Sequence, residues 1–111
     1  MAQEGSQKGE DVYRQTLVDV MRMTLNCWEQ ATQKDKVQFA EESGIWSVHL
    51  DRSQLRTRAL DRYLDIKKLP KNPRWREVVK SAYYVLAKDI SDFTLKQSLE
   101  QKLNHLLKII H

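Results

Sequence analysis

The chain has 111 residues, 41% hydrophobic and 31% charged, which is the balance of one globular domain and excludes both a disordered chain and a second domain of ordinary size. Its single cysteine, Cys27, excludes an intrachain disulfide, and no apolar run approaches the ~20 residues that span a bilayer. The net charge of +4 is unevenly spread: residues 52–80 hold ten Lys/Arg against three acids, so that segment is +7 and the remainder −3.

Charge of one sign gathered in one segment marks a place where a polyanion docks. The N-terminus is polar and shows no signal peptide, so a reducing, cytoplasmic setting is expected, with no membrane partner. Glycine is scarce. Two of the three glycines fall in the first ten residues and only Gly44 follows. Tight turns between strands need residues that accept positive φ, so long helices with few turns are expected.

Residues 1–9 (MAQEGSQKG) are polar and without apolar periodicity, which predicts a disordered tail before a single helical domain over 10–111. From Glu10 to about Ala31, Tyr13, Leu17, Val20, Met21, Met23, Leu25 and Trp28 recur at helical steps, with Glu10 and Asp11 suited to the positive end of the helix dipole. A face this broad is either well buried or meets a partner chain. Asp35 is placed to cap a second helix, Lys36–Ser43, that turns Val37, Phe39 and Ala40 inward, and Gly44 suits a left-handed C-cap. Ile45 to Leu50 alternates apolar and polar. Without a second strand to pair with, it is expected as an extended connection packing Trp46, Val48 and Leu50 onto the core.

Asp51 or Ser53 can cap a third helix reaching about Asp65, or Thr57 can cap a shorter one, Arg58–Asp65. Leu55, Ala59, Leu60, Tyr63 and Leu64 would face in, and Arg56, Arg58, Asp61, Arg62 and Asp65 out. Residues 67–71 form a turn, and Asn72-Pro73 reads as a helix start for a fourth helix, Pro73–Lys88, with Trp75, Val79, Ala82 and Leu86 inside. Ser91 or Asp92 caps the last helix, to about Ile110. Leu95, Leu99, Leu103, Leu106 and Ile110 approach a heptad seam, and the helix over 91–110 is expected to pair two copies. An amphipathic helix covering its own domain is the other reading. The fold class expected is all-α: a five-helix orthogonal bundle with long terminal helices.

Little in the chain suggests catalysis. His49, His105 and His111 are far apart, no His/Cys spacing suits zinc, and no Gly-rich loop cradles phosphate. Glu41 and Glu42 are adjacent on a helix and do not converge, while Asp61 and Asp65 lie among arginines that explain them by ion pairing. Cys27, beside Trp28, reads as a small buried hydrophobe. No enzyme activity, cofactor or metal is expected. Trp28, Trp46 and Trp75 read as core anchors, and Tyr84 as exposed and open to a partner.

The nucleic-acid case is better. Arginine reads guanine with two hydrogen bonds, and Lys, Arg, Ser and Thr hold phosphates. Gln54, Arg56, Thr57, Arg58, Asp61 and Arg62 supply that mixture on one helix. Lys67, Lys68, Lys71 and Arg74 follow, placed to grip the backbone, and a helix starting after Asn72 would add amide groups for a phosphate.

Two stretches resemble a known family. Phe39-Ala40-Glu41-Glu42-Ser43-Gly44 looks like the first helix and turn of a helix-turn-helix, with an alanine at the crossing and a glycine four residues later. Residues 57–64 (TRALDRYL) resemble a recognition helix of the lambda-repressor/Cro-like class, opened by a threonine. The basic turn and the helix from Pro73 to Leu86 are similar to the next part of that class, so the resemblance covers residues 34–86. The connection Ile45–Arg56 is longer than the family's turn. The resemblance implies a transcriptional regulator that binds duplex DNA sequence-specifically as a homodimer. The alternative is a helical interaction adaptor whose basic face meets an acidic protein, favoured by that long connection and by the apolar terminal helices.

Overall fold

In the computed structural model, residues 2–111 are described, with side chains from Gly9 onward. The order is α1 (Ala2–Thr32), α2 (Lys36–Ser43), β1 (His49–Asp51), β2 (Gln54–Arg56), α3 (Arg58–Asp61) running into a 3-10 turn (Arg62–Leu64), α4 (Trp75–Leu86) and α5 (Phe93–Ile110). Five α-helices are thus present among the described residues, as an all-α domain requires, with the two longest at the ends of the chain.

The long axis of the molecule is set by α1. Its 31 residues span about 46 Å at 1.5 Å per residue, and α5, α4 and the 3-10 turn all pack against it. Leu17, Val18, Val20, Met21, Cys27 and Trp28 are buried along it. The buried hydroxyls of Thr16 and Thr24 donate to the carbonyls of Val12 and Val20 one turn back, so neither is left unpaired. The broad face therefore meets the chain's own helices.

The N-terminus differs from expectation. Residues 2–9 continue α1 instead of forming a tail; Met1 lies outside the described residues. Ala, Gln, Glu and Lys are good helix formers, and extending an existing helix avoids the cost of nucleation.

The leucine seam of α5 turns toward the chain's own core. Leu99, Leu103 and Leu106 are 0%, 2% and 0% exposed within one chain, and Leu95 and Ile110 pack partly buried against the same core. Leu99, Leu103 and Leu106 thus have their burial within one chain.

Local signals near α2 match the structure. Asp35 accepts from the Gln38 amide in a capping box, and Gly44 is left-handed (φ 69°) with its amide on the Ala40 carbonyl. Gln33 turns the chain out of α1 at φ 58°. The Trp28 indole donates to the Asp35 carbonyl at 2.9 Å and meets Phe39 edge-on, with ring centroids 5.4 Å apart. Tyr84 completes this aromatic group and lies under the Lys88 ammonium at 4.7 Å. The exposed tyrosine is Tyr83, not Tyr84. Cys27 donates to the Leu95 carbonyl at 3.6 Å. Burial, reinforced by the Asp92 carboxylate, pushes its thiol up to about 11, which keeps it protonated and inert at neutral pH.

Residues 45–74 depart most from expectation. Instead of an extended connection and one long helix, the chain makes a β-hairpin with Asp51 opposite Gln54, Leu50 opposite Leu55 and His49 opposite Arg56. Trp46 and Val48 pack onto the core, whereas Leu50 is 74% exposed. Leu55 sits on β2, largely exposed, and not on an inner helix face. The connection between α2 and α3 is therefore this hairpin and not the short turn of the lambda-repressor/Cro-like class. The helix α4 begins at Trp75 with Arg74 at its N-cap, later than Asn72-Pro73 suggests, and ends at Leu86.

Because Leu103 lies in an intrachain core, Leu103→Ala should cost about 2–5 kcal/mol of stability. Its melting temperature should not change with protein concentration. A midpoint that falls on dilution of the unaltered chain would instead place this leucine between copies.

Candidate nucleic-acid interface

A set of contacts from the hairpin, α1 and α4 fixes the segment that carries the charge. The Trp46 indole, buried at the foot of the hairpin, donates to the Ser81 hydroxyl at 2.7 Å, and Ser81 donates onward to the Glu77 carbonyl. The Trp46 ring lies 4.8 Å from that of Tyr63 in the 3-10 turn. The Tyr63 hydroxyl accepts the Arg74 amide at 2.7 Å, so this amide at the start of α4 is not available to a phosphate. From α1, Arg22 donates to the Leu64 carbonyl at 2.7 Å, and the Arg14 guanidinium to the Leu69 and Pro70 carbonyls at 3.0 and 2.9 Å. Hydrogen bonds from a charged donor are the stronger kind. These two arginines position the basic turn and do not belong to its exposed charge.

The predicted contact residues divide accordingly. Gln54 and Arg56 lie exposed on β2, with Arg56 donating to the Gln54 carboxamide at 2.9 Å. Thr57 is 1% exposed and donates to the Asp61 carboxylate at 2.9 Å, so it serves the fold and cannot touch a ligand. Asp61 also holds Lys36 at 2.7 Å. Arg58 pairs with Asp51, a pair 68% and 36% exposed; such surface pairs contribute at most about 1 kcal/mol and yield readily to a better partner. Arg62 is exposed and has no protein partner among the described residues. Lys67, Lys68, Lys71 and Arg74 are exposed around the turn before α4. The expected rod from Gln54 to Asp65 is thus a strand, a buried threonine, a four-residue helix and a 3-10 turn.

Two adjoining hollows show which cations come together. One, of about 480 Å³, is lined by His49, Leu50, Asp51, Arg58, Ala59 and Arg62. The other, of about 290 Å³, takes in Trp46, Ala59, Arg62, Tyr63, Asn72 and Arg74. Ala59 and Arg62 line both, so Arg62 stands on the saddle between them, with Arg58 on one side and Arg74 on the other. This makes a cationic face with apolar ground between the charges, the arrangement that suits nucleic acid.

Arg52 opens the basic segment but is not among the contact residues that the sequence suggests. It forms the hairpin tip with Ser53, both left-handed at φ 50° and 67°. A two-residue loop with two positive φ values is the type that matches strand twist, and it normally takes Asn-Gly. The signal was there in the triplets HLD and QLR, which alternate about two residues, but Arg-Ser does not advertise a turn.

No family model and no curated protein matches the chain. Among solved structures, it is similar to the DNA-binding domain of the sensor histidine kinase ChiS from Vibrio cholerae, with 41% identity and a TM-score of 0.89 over 94% of this chain and 97% of that one.

Two expectations test this geometry. Tyr63→Phe leaves the Arg74 amide without its acceptor and should cost about 1–3 kcal/mol in denaturant unfolding; an unchanged midpoint would mean the hydroxyl holds nothing. Ser53→Gly should raise stability by about 1 kcal/mol, since glycine accepts positive φ without strain. A loss would place Ser53 in some other backbone geometry.

Proposed function

This chain belongs to the family of the ChiS DNA-binding domain, and on that premise we propose that it binds duplex DNA sequence-specifically and acts as a transcriptional regulator. The observation that carries the reading is the saddle: Arg62 is exposed and without a protein partner among the described residues, and Arg58 and Arg74 flank it on one surface. A partner rich in acidic side chains has no comparable support from the neighbouring fold.

The roles divide by chemistry. Arg58 and Arg62 stand one helical turn apart on a short, well-anchored element, the spacing at which two guanidiniums address neighbouring base edges in a major groove. Lys67, Lys68, Lys71 and Arg74 are point or fork charges for phosphates, which fix register without reading sequence. Because the α5 leucines are used inside the chain, the binding unit of this proposal is one copy. A second copy, where the DNA site repeats, is brought by the DNA.

Fluorescence anisotropy on a duplex selected from a random pool tests the reading. The logarithm of affinity should fall linearly with the logarithm of salt, by about 0.9 per phosphate contact. Lys67→Ala, Lys68→Ala and Lys71→Ala should each weaken all duplexes alike and lower that slope by about one contact. Arg62→Ala should cost about 1–3 kcal/mol on the selected duplex and much less on an unrelated one. If the selected and unrelated duplexes bind equally at physiological salt, the proposal is wrong.

A further inference from the structure

The hairpin carries a feature that phosphate contacts and arginine readout leave unexplained. Leu50 and Leu55 face each other across β1 and β2, and they are 74% and 49% exposed. One exposed leucine needs no explanation. Two that pair directly, on the same face of a two-stranded ribbon, form an apolar knob held in water. Around it stand Arg52 at the tip, Arg56 on β2 and Arg58 on α3, with one acid, Asp51, already paired to Arg58.

We infer that this hairpin is a wedge that enters the minor groove of duplex DNA, where Leu50 and Leu55 press on a base step and bend the helix. The inference rests on the DNA-binding reading and assigns a part that reading leaves idle. Charge selects the occupant: a second copy of this chain would bring Arg52, Arg56 and Arg58 against their own mates, whereas a polyanion neutralises them. Geometry selects the groove: Arg58 and Arg62 share one hollow with Leu50 and Asp51 of the ribbon, so a phosphate strand seated in it, with the arginines in the major groove, leaves the ribbon at the adjoining minor groove. A narrow minor groove concentrates negative potential and attracts an arginine such as Arg52. Apolar side chains have little to read there, and they find burial by parting a base step, which kinks DNA by 20–90° in proteins that do so. The ribbon is also stiff enough for the task. Trp46, buried and bonded to Ser81, fixes its foot, and the two-residue tip keeps the protrusion short.

End-labelled duplexes carrying the selected site, read by energy transfer, report bending; 2-aminopurine beside the site reports unstacking. The unaltered chain should raise both signals. Leu50→Ser with Leu55→Ser should bind about tenfold more weakly, with the salt slope unchanged because no charge is lost, and with both signals near those of DNA alone. Leu50→Met with Leu55→Met should restore both. Melting of the free serine variant should match the unaltered chain, since these side chains are exposed. A serine variant that bends and unstacks DNA like the original overturns the wedge while leaving DNA binding intact. So does one that changes only the sedimentation of the free protein, which would make the leucines a seat for a second copy. Failure of the unaltered chain to bind any duplex overturns the wedge together with the reading beneath it.

Discussion

A buried indole N–H left without an acceptor costs about 1–3 kcal/mol, and Trp46 avoids this by donating to Ser81, a hydroxyl that is itself buried. Most of the candidate interface hangs from that bond. It joins the foot of the hairpin to the middle of α4, and it sets the Trp46 ring against Tyr63. Tyr63 in turn holds the first residues of α4 through the Arg74 amide. The three elements that present Arg52, Arg58, Arg62 and Arg74 are thus tied through two aromatic side chains. A serine in the buried face of α4 looks like a defect in an apolar stripe, but the indole that reaches it from 35 residues away explains it.

The second support comes from α1. A helix with one apolar face against α5 and α4 is an ordinary core element, but Arg14 and Arg22 add a function to its flank. Their guanidiniums hold the carbonyls of Leu64, Leu69 and Pro70, which have no partner in regular secondary structure. The irregular run from Leu64 to Arg74 is then as well placed as a helix would be, and its lysines are left to face solvent. Positive charge serves two purposes on opposite sides of one segment: from below it orders backbone, and from above it awaits a ligand.

What was legible in the sequence follows from the range of the signal. Caps are local, and Asp35, Gly44 and Asp92 all sit where their chemistry points. Helical stripes are also local, so α1, α2, α4 and α5 were readable to within a few residues, the tail excepted. Whose core a stripe enters is not local. The leucines of α5 have the spacing of an intermolecular seam and serve an intramolecular one, because the chain already holds the matching face on α1. The hairpin was missed for a different reason. Its turn uses Arg52 and Ser53 where Asn and Gly would announce it, and its exposed leucines imitate an inward-facing pattern. Thr57 has a hydroxyl of the kind that holds phosphates, yet that hydroxyl serves Asp61 inside the fold. No sequence spacing separates those two outcomes.

All ten basic residues of the segment are exposed, and some of them touch neighbouring side chains. Within the basic segment, Arg56 leans on Gln54, Arg58 on Asp51 and Arg76 on the Trp75 ring at 4.6 Å. Those contacts are weak and exposed, so a phosphate can displace them at small cost. Among the acids, Asp61 is held by Lys36 and Thr57, so this carboxylate does not stand unpaired beside Arg62. The charge of this face is thus set by the pairing of Asp61 as much as by the number of its arginines, and that pairing draws on Lys36 of α2, outside the segment that the charge count singled out.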